Sequence, residues 1–105
     1  MLILGSGNLT HNLRHAFGAM QTGETATPAW ASTFDAEVAR AVEQRDGPWL
    51  VKALGTAEGQ RSHPSPDHYL PLLYAVGASD ASEPVRFPIT GFDLASLSMR
   101  SVLLG

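Results

Sequence analysis

Histidines are the residues of this sequence best suited to chemistry, and they occur as two pairs. The stretch SHPSPDHYLPLLYAVGA, residues 62–78, places His63 and His68 among prolines just before an apolar run. The other pair, His11 and His15, follows Gly-Ser-Gly and is spaced by one helical turn. Neutral imidazole binds divalent metals and accepts protons, so both stretches suggest a metal site or an acid–base site.

Two of these histidines are predicted to lie at the start of a helix. Asn8 is a suitable N-cap for a helix over residues 9–17, which puts His11 in its first turn. Ser65 can cap a helix in the same way, with His68 in the first turn. The positive end of the helix dipole disfavours a protonated ring, so such histidines tend to stay neutral. Two interpretations remain open: His68 contacts a metal or substrate, or it only packs while the neighbouring residues cap the helix.

The glycine-rich turn Gly5-Ser6-Gly7 also suggests a dinucleotide-binding site. That fingerprint requires a third glycine where this chain has Thr10, and it requires a second strand ending in an acidic residue, which does not follow. No Gly-Lys-Ser/Thr sequence follows either, which excludes a P-loop. The serines lack the G-x-S-x-G context of a nucleophile elbow. A sharp turn from a strand into a helix explains these glycines more simply.

The remaining pattern predicts one α/β domain over residues 1–105. A long amphipathic helix is expected over residues 29–45, with Asp35 on its solvated face. The other expected elements are a buried strand at Met1–Leu4, a short helix from Asp46 to Gly55, a polar loop over 56–64, a helix from Ser65 to Gly77, and strands over 84–89 and 96–105. Pro71 is expected to make the first turn of the helix from Ser65 kinked or partly 3₁₀.

Composition excludes several function classes. The chain has 105 residues with 44% hydrophobic content, a net charge of −3 without a basic stripe, and no cysteine. We therefore expect no nucleic-acid binding, no disulfide and no thiol chemistry. No apolar run reaches the roughly 20 residues of a membrane helix, and the N-terminus does not have the pattern of a signal peptide. The sequence predicts a soluble, cytoplasmic protein.

Four blocks, taken together and in order, resemble the class III extradiol ring-cleaving dioxygenases. They are LILGSGNLTHNLR, WASTFD, HPSPDHYLPLLYAVGA and SLSMRS. The resemblance is to the LigB-like branch, of the DOPA 4,5-dioxygenase type, and to the C-terminal part of those enzymes. It implies that residues 1–105 form the C-terminal half of a larger α/β dioxygenase fold.

The resemblance also implies a chemistry. It implies a divalent metal, Fe(2+) or Zn(2+), which binds a catecholic substrate and dioxygen during ring opening. By the matched blocks, His68 is a metal ligand, and His11 is either a second ligand or the acid–base group. His63 and His15 match no functional position of that family.

One departure from the resemblance concerns the metal ligands. The family has two further metal histidines, in H-G-S-P-like and A-H-W-like contexts, and neither context occurs here. We therefore expect a partner, either the N-terminal half of the enzyme or another subunit, and we expect a homo-oligomer. The alternative is a non-catalytic remnant or self-associating fragment without a functional metal site.

Overall fold

The computed structural model describes residues 2–105, which fold around one long helix. Five α-helices, one 3₁₀ turn and four short strands occur in this part of the chain. The strands form two separate antiparallel pairs, β1 with β4 and β2 with β3. The bounds are α1 Leu13–Thr22, α2 Ala29–Glu43, α3 Gly47–Lys52, the 3₁₀ turn Ala53–Gly55, α4 Ala57–Ser62, α5 Leu70–Ala78, β1 Val85–Arg86, β2 Phe92–Asp93, β3 Leu97–Ser98 and β4 Leu103–Leu104. The predicted α/β class is confirmed.

The core forms along α2. Phe34, Val38 and Val42 recur at helical spacing on one face, and all three are fully buried. Leu50 of α3 and Tyr69 pack against them. The Tyr69 hydroxyl donates to the Leu50 carbonyl at 2.7 Å, which satisfies its one buried polar atom.

Helix α1 begins four residues later than predicted. Its N-cap is Asn12, whose side-chain oxygen accepts from the His15 amide at 3.1 Å, whereas Asn8 had been expected in that role. The Asn8 side chain instead donates to the Ser98 carbonyl at 2.9 Å. Residues 8–12 are therefore an irregular segment held by tertiary hydrogen bonds, and His11 precedes the helix.

The region between α3 and α5 also differs from the prediction. Thr56 caps α4 by accepting from the Gly59 amide at 3.0 Å, so residues 56–64 do not form the polar loop that was predicted. Helix α5 begins at Leu70, and residues 65–69 before it form a bend followed by a turn. Pro71 consequently lies in the first helical turn, where its missing amide costs nothing, and the expected kink is not required.

The predicted strands are mostly wrong. Residues 2–4 carry no strand and are exposed, while Met1, which the prediction included, lies outside the described residues. The run over 84–89 forms only the two-residue β1, and the run over 96–105 is split between β3 and β4. None of the helices described is long and apolar enough to cross a membrane.

Candidate functional site

Two backbone hydrogen bonds bring the distant histidine stretches together. The His11 amide donates to the Ser62 carbonyl at 2.8 Å, at the end of α4. The Asn8 amide donates to the His68 carbonyl at 3.0 Å, just before α5. The irregular segment 8–12 is thereby bound at both ends to the chain that carries His68.

His11 and His68 form the centre of the candidate site. Their imidazole rings stack, with centroids 3.5 Å apart and planes inclined by 13°. The His68 side chain is 40% exposed, so solvent or a ligand has access to the pair. The structure thus joins the two site residues predicted from sequence, although both lie before their helices rather than in the first turns.

Gly7 permits the close approach on which this arrangement depends. A Cβ atom at this position would lie 2.2 Å from the His68 carbonyl oxygen, far inside van der Waals contact. No residue other than glycine fits there without a backbone shift. This close approach accounts for the second glycine of Gly5-Ser6-Gly7.

The electrostatic environment favours a neutral His11. Partial burial, followed by the nearby His68, lowers the pKa of His11 below its ordinary value of 6.5. The exposed carboxylate of Asp67 acts in the opposite direction and raises the pKa of His11. Its Oδ2 atom lies 3.6 Å from Nε2 of His68. The Ser65 hydroxyl donates to the Asp67 carboxylate, which is the main cause that lowers the pKa of Asp67. The site therefore combines a neutral imidazole, a second imidazole and an ionised carboxylate at neutral pH.

The other two histidines hold the fold together. His63 is buried, donates through Nε2 to the Leu9 carbonyl at 2.6 Å, and packs edge-on against Phe34. His15 Nδ1 and the Ser96 hydroxyl share a 2.8 Å hydrogen bond. His63 is therefore part of the core and does not line a cleft with His68, and His15 is hydrogen-bonded to Ser96.

The side chains at the site are of a type that binds metals, but there are too few of them for a complete metal site. Imidazole nitrogen is a normal ligand of both zinc and ferrous iron, and His11 and His68 offer two such groups close together. Catalytic zinc sites use three protein ligands. Within residues 2–105, no group of three or more His, Cys, Asp or Glu side chains is placed to hold a metal ion.

A buried ion pair lies beside the segment that carries the site, and it was not predicted from the sequence. Asp35, predicted on the solvated face of α2, is only 4% exposed. Its carboxylate accepts from the Ser98 hydroxyl at 2.5 Å and from Arg100 through Nε at 3.1 Å and Nη2 at 2.7 Å. The only signal in the sequence was that Asp35 and Arg100 lie in two of the four matched blocks, WASTFD and SLSMRS.

Comparisons with known proteins support a relationship to ring-cleaving enzymes. No protein-family model matches the chain. Over its full length, the chain is 39% identical across 109 aligned positions to the 4,5-DOPA dioxygenase extradiol of Escherichia coli (strain K12), of which it covers 39%. The crystal structure of an uncharacterized protein from Escherichia coli K12 matches with a TM-score of 0.74 and 36% identity, over 92% of this chain and 40% of that one.

An α/β chain with a stacked histidine pair is thus related to the extradiol dioxygenases of the DOPA type. The relationship predicted from the four blocks is confirmed at this level. The chain spans about two-fifths of the length of the relatives it matches. Its correspondence to their C-terminal part stays a prediction.

Proposed function

We propose that this chain supplies part of the active site of a metal-dependent extradiol dioxygenase, which opens the ring of a catecholic substrate with dioxygen. The observation that carries the proposal is the stacking of His11 on His68, because the matched blocks assign functional histidines to those two positions. The 39% identity to a 4,5-DOPA extradiol dioxygenase supports the reaction class. We further expect a cytoplasmic protein.

His68 is proposed as a metal ligand, and His11 as either a second ligand or the acid–base group. The lowered pKa of His11 leaves its ring neutral and able to accept a proton from a substrate hydroxyl at neutral pH. The partly exposed ring of His68 leaves room for a ligand beside the pair. Asp67 can stabilise positive charge that develops on either ring.

A divalent metal, Fe(2+) or Zn(2+), would be held by His68 and by His11 where it ligates. Once bound, ferrous iron would supply a Lewis acid for both catechol oxygens and a binding position for dioxygen. The two imidazoles do not reach the ligand count of a catalytic site, so the remaining donors would come from the N-terminal half of the enzyme or from another subunit. This chain is therefore proposed to be inactive alone.

Calorimetric metal titration of the purified chain tests the proposal. Zinc, and ferrous iron under anaerobic conditions, should bind weakly, and His68→Ala should remove that binding. His11→Ala should also remove it where His11 is a ligand, and should retain it where His11 is only the acid–base group. His15→Gln, which changes a histidine outside the pair, is the matched control and should bind metal as the unaltered chain does. Binding that is indifferent to both alanine variants would contradict the assignment of the site.

Activity is tested in a complete enzyme. A hybrid in which this chain replaces the matching part of the Escherichia coli relative should consume dioxygen with DOPA. His68→Ala should abolish metal retention in the hybrid, and His11→Ala should reduce turnover far more than thermal stability. A hybrid that is fully active with either alanine would refute that residue's role.

The second candidate function is that of a non-catalytic, self-associating fragment. It is favoured by the exposed Leu2 and Leu4, 80% and 86% accessible, which are characteristic of an apolar contact surface. This candidate predicts a homo-oligomer in sedimentation experiments and no difference in metal affinity between the unaltered chain and His68→Ala.

A further inference from the structure

His63 is a buried histidine that the proposed chemistry does not use. The residue is 6% exposed, and its ring packs against Phe34 and Tyr69 with ring centroids 5.8 Å and 5.3 Å away. A ring that only filled space would carry no polar atoms, because a buried polar group without a hydrogen-bond partner is destabilising. The contacts of its two ring nitrogens therefore indicate what the residue does.

One ring nitrogen holds the backbone of the segment that carries His11. Nε2 lies 2.6 Å from the Leu9 carbonyl oxygen, and a carbonyl can only accept, so Nε2 carries the proton. The residue before His63, Ser62, accepts the His11 amide through its own carbonyl at 2.8 Å. Two consecutive residues thus hold the backbone on both sides of Thr10.

The face of the same ring contacts the segment that carries His68. Tyr69 directly follows His68, and its ring packs against that of His63. Tyr69 is itself fixed, because it is fully buried and its hydroxyl donates to the Leu50 carbonyl at 2.7 Å. A single side chain therefore connects the two segments whose histidines stack at 3.5 Å.

The other ring nitrogen makes this connection depend on one form of the ring. Nδ1 is buried and has no hydrogen-bond partner among the residues that the structure describes. A proton on Nδ1 instead of Nε2 would leave the Leu9 carbonyl without its donor, and protons on both nitrogens would place a charge in the core. Burial lowers the pKa of His63, which keeps the ring neutral at neutral pH. The surroundings thus favour the one tautomer that holds Leu9.

We propose that His63 is a positioning residue, which aligns His11 with His68 by holding the segment of one through Nε2 and packing against the neighbour of the other. Histidine suits this position because it combines an aromatic ring with an N–H donor. Glutamine can supply only the donor, and phenylalanine only the ring. The proposal rests on the proposed function for its effect on turnover, whereas the stacking of the two imidazoles is independent of catalysis.

The tautomer of His63 in the unaltered chain is the first test. Nitrogen NMR of the isotope-labelled chain distinguishes a ring protonated at Nε2 from one protonated at Nδ1, and His63→Gln identifies the signal by its loss. Above the ordinary histidine pKa of about 6.5, we expect the Nε2 form alone. A ring protonated at Nδ1, or at both nitrogens, would overturn the proposal.

Two variants of His63 separate the hydrogen bond from the ring. Stacked rings shift each other's proton signals upfield, so the change of the His11 signals in His68→Ala gives the size of the full effect. His63→Phe should remove most of this upfield shift, and His63→Gln should retain it. The matched control is Asp46→Ala, which removes a hydrogen bond to the Trp49 amide at the start of α3 and should retain the shift.

The outcomes against the proposal differ between these variants. A folded His63→Phe that keeps the full shift would show that the hydrogen bond to Leu9 does not align the pair. Equal loss of the shift in Asp46→Ala would show that any destabilisation has this effect. Loss of the shift in a folded His63→Gln would overturn the proposal even where His63→Phe does not fold.

Turnover is measured in the hybrid with the Escherichia coli relative. His63→Phe should lower kcat for DOPA by about 10- to 100-fold with KM unchanged, because a displacement of about 1 Å at a catalytic group costs up to about 100-fold. His63→Gln should restore most of kcat, and equal kcat in His63→Phe and the unaltered hybrid would overturn the proposal. An unaltered hybrid without activity would contradict the proposed function alone, since loss of the stacking shift in His63→Phe would still support the positioning role.

Discussion

The substitution Gly7→Ala tests the packing that brings the two histidines together. The added Cβ would lie 2.2 Å from the carbonyl oxygen of His68 and 3.1 Å from its carbonyl carbon. Ordinary contact requires a separation of more than 3 Å, so the backbone must move by roughly 1 Å. The carbonyl cannot move freely, because it accepts from the Asn8 amide at 3.0 Å.

The expected change in the free energy of unfolding of Gly7→Ala is the sum of two destabilising contributions and one stabilising contribution. Overpacking of a tight contact costs about 1–3 kcal/mol, and weakening the Asn8–His68 hydrogen bond costs about 1 kcal/mol more. The lower entropy of alanine in the unfolded chain offsets about 0.4–1 kcal/mol. We expect a net loss of about 1–3 kcal/mol, and each kcal/mol lowers the Tm of a domain of this size by about 4–8 °C.

Gly18→Ala is the matched control for this prediction. Gly18 lies within α1, and an added Cβ would meet no atom within 4 Å. Alanine is favoured over glycine inside a helix by about 0.5–1 kcal/mol, so this variant should be more stable. Urea denaturation of both variants should therefore give changes of opposite sign. Equal changes, or a stabilised Gly7→Ala, would refute the close approach between Gly7 and His68.

Three further predictions concern buried polar groups. Tyr69→Phe removes a buried 2.7 Å hydrogen bond and should lower the free energy of unfolding by about 1–2 kcal/mol, whereas Tyr74→Phe, at a residue 76% exposed, should change it by less than about 0.5 kcal/mol in the same denaturation assay. Burial holds the pKa of His63 below its ordinary 6.5, so the unfolded chain binds more protons between the two values. Stability should be complete above about pH 6.5 and fall on acidification by up to about 1.4 kcal/mol per pH unit. His63→Gln, which can retain the N–H donor, should make that slope shallower, and identical slopes would contradict the assignment. A double-mutant cycle of Asp35→Asn and Arg100→Met should give a coupling energy of about 1–3 kcal/mol by denaturation, and strictly additive effects would show that the ion pair contributes nothing.

Local signals in the sequence predicted the elements that local interactions stabilise. Helix α2 follows the spacing of its apolar residues. Helix α3 begins directly after its N-cap Asp46, whose carboxylate accepts from the Trp49 amide at 3.1 Å. Helix α4 was missed because it is short and has no apolar period. It depends on the Thr56 cap and on the contact of Gly59 with the Ala53 carbonyl. That contact is visible only in three dimensions.

The start of α1 shows why sequence reasoning placed His11 incorrectly. Asn8 and Asn12 are equally good caps by residue type. The choice is made by the Ser98 carbonyl, ninety positions away, which binds the Asn8 side chain and leaves Asn12 to cap the helix. Spacing had put His11 in a helical turn, whereas a tertiary hydrogen bond puts it in the segment that meets His68.

The four blocks of the resemblance form two pairs, and the two pairs have different physical roles. The blocks around His11 and His68 supply the imidazoles. The blocks WASTFD and SLSMRS supply none, but their Asp35–Arg100 ion pair fixes residues 96–100 against α2. The Ser98 amide in turn donates to the Thr10 hydroxyl at 2.8 Å, next to His11. These contacts end at Thr10, the neighbour of His11 in the chain. We therefore expect loss of Asp35 to displace His11 although Asp35 is not part of the candidate site, which gives a structural reason for this buried carboxylate.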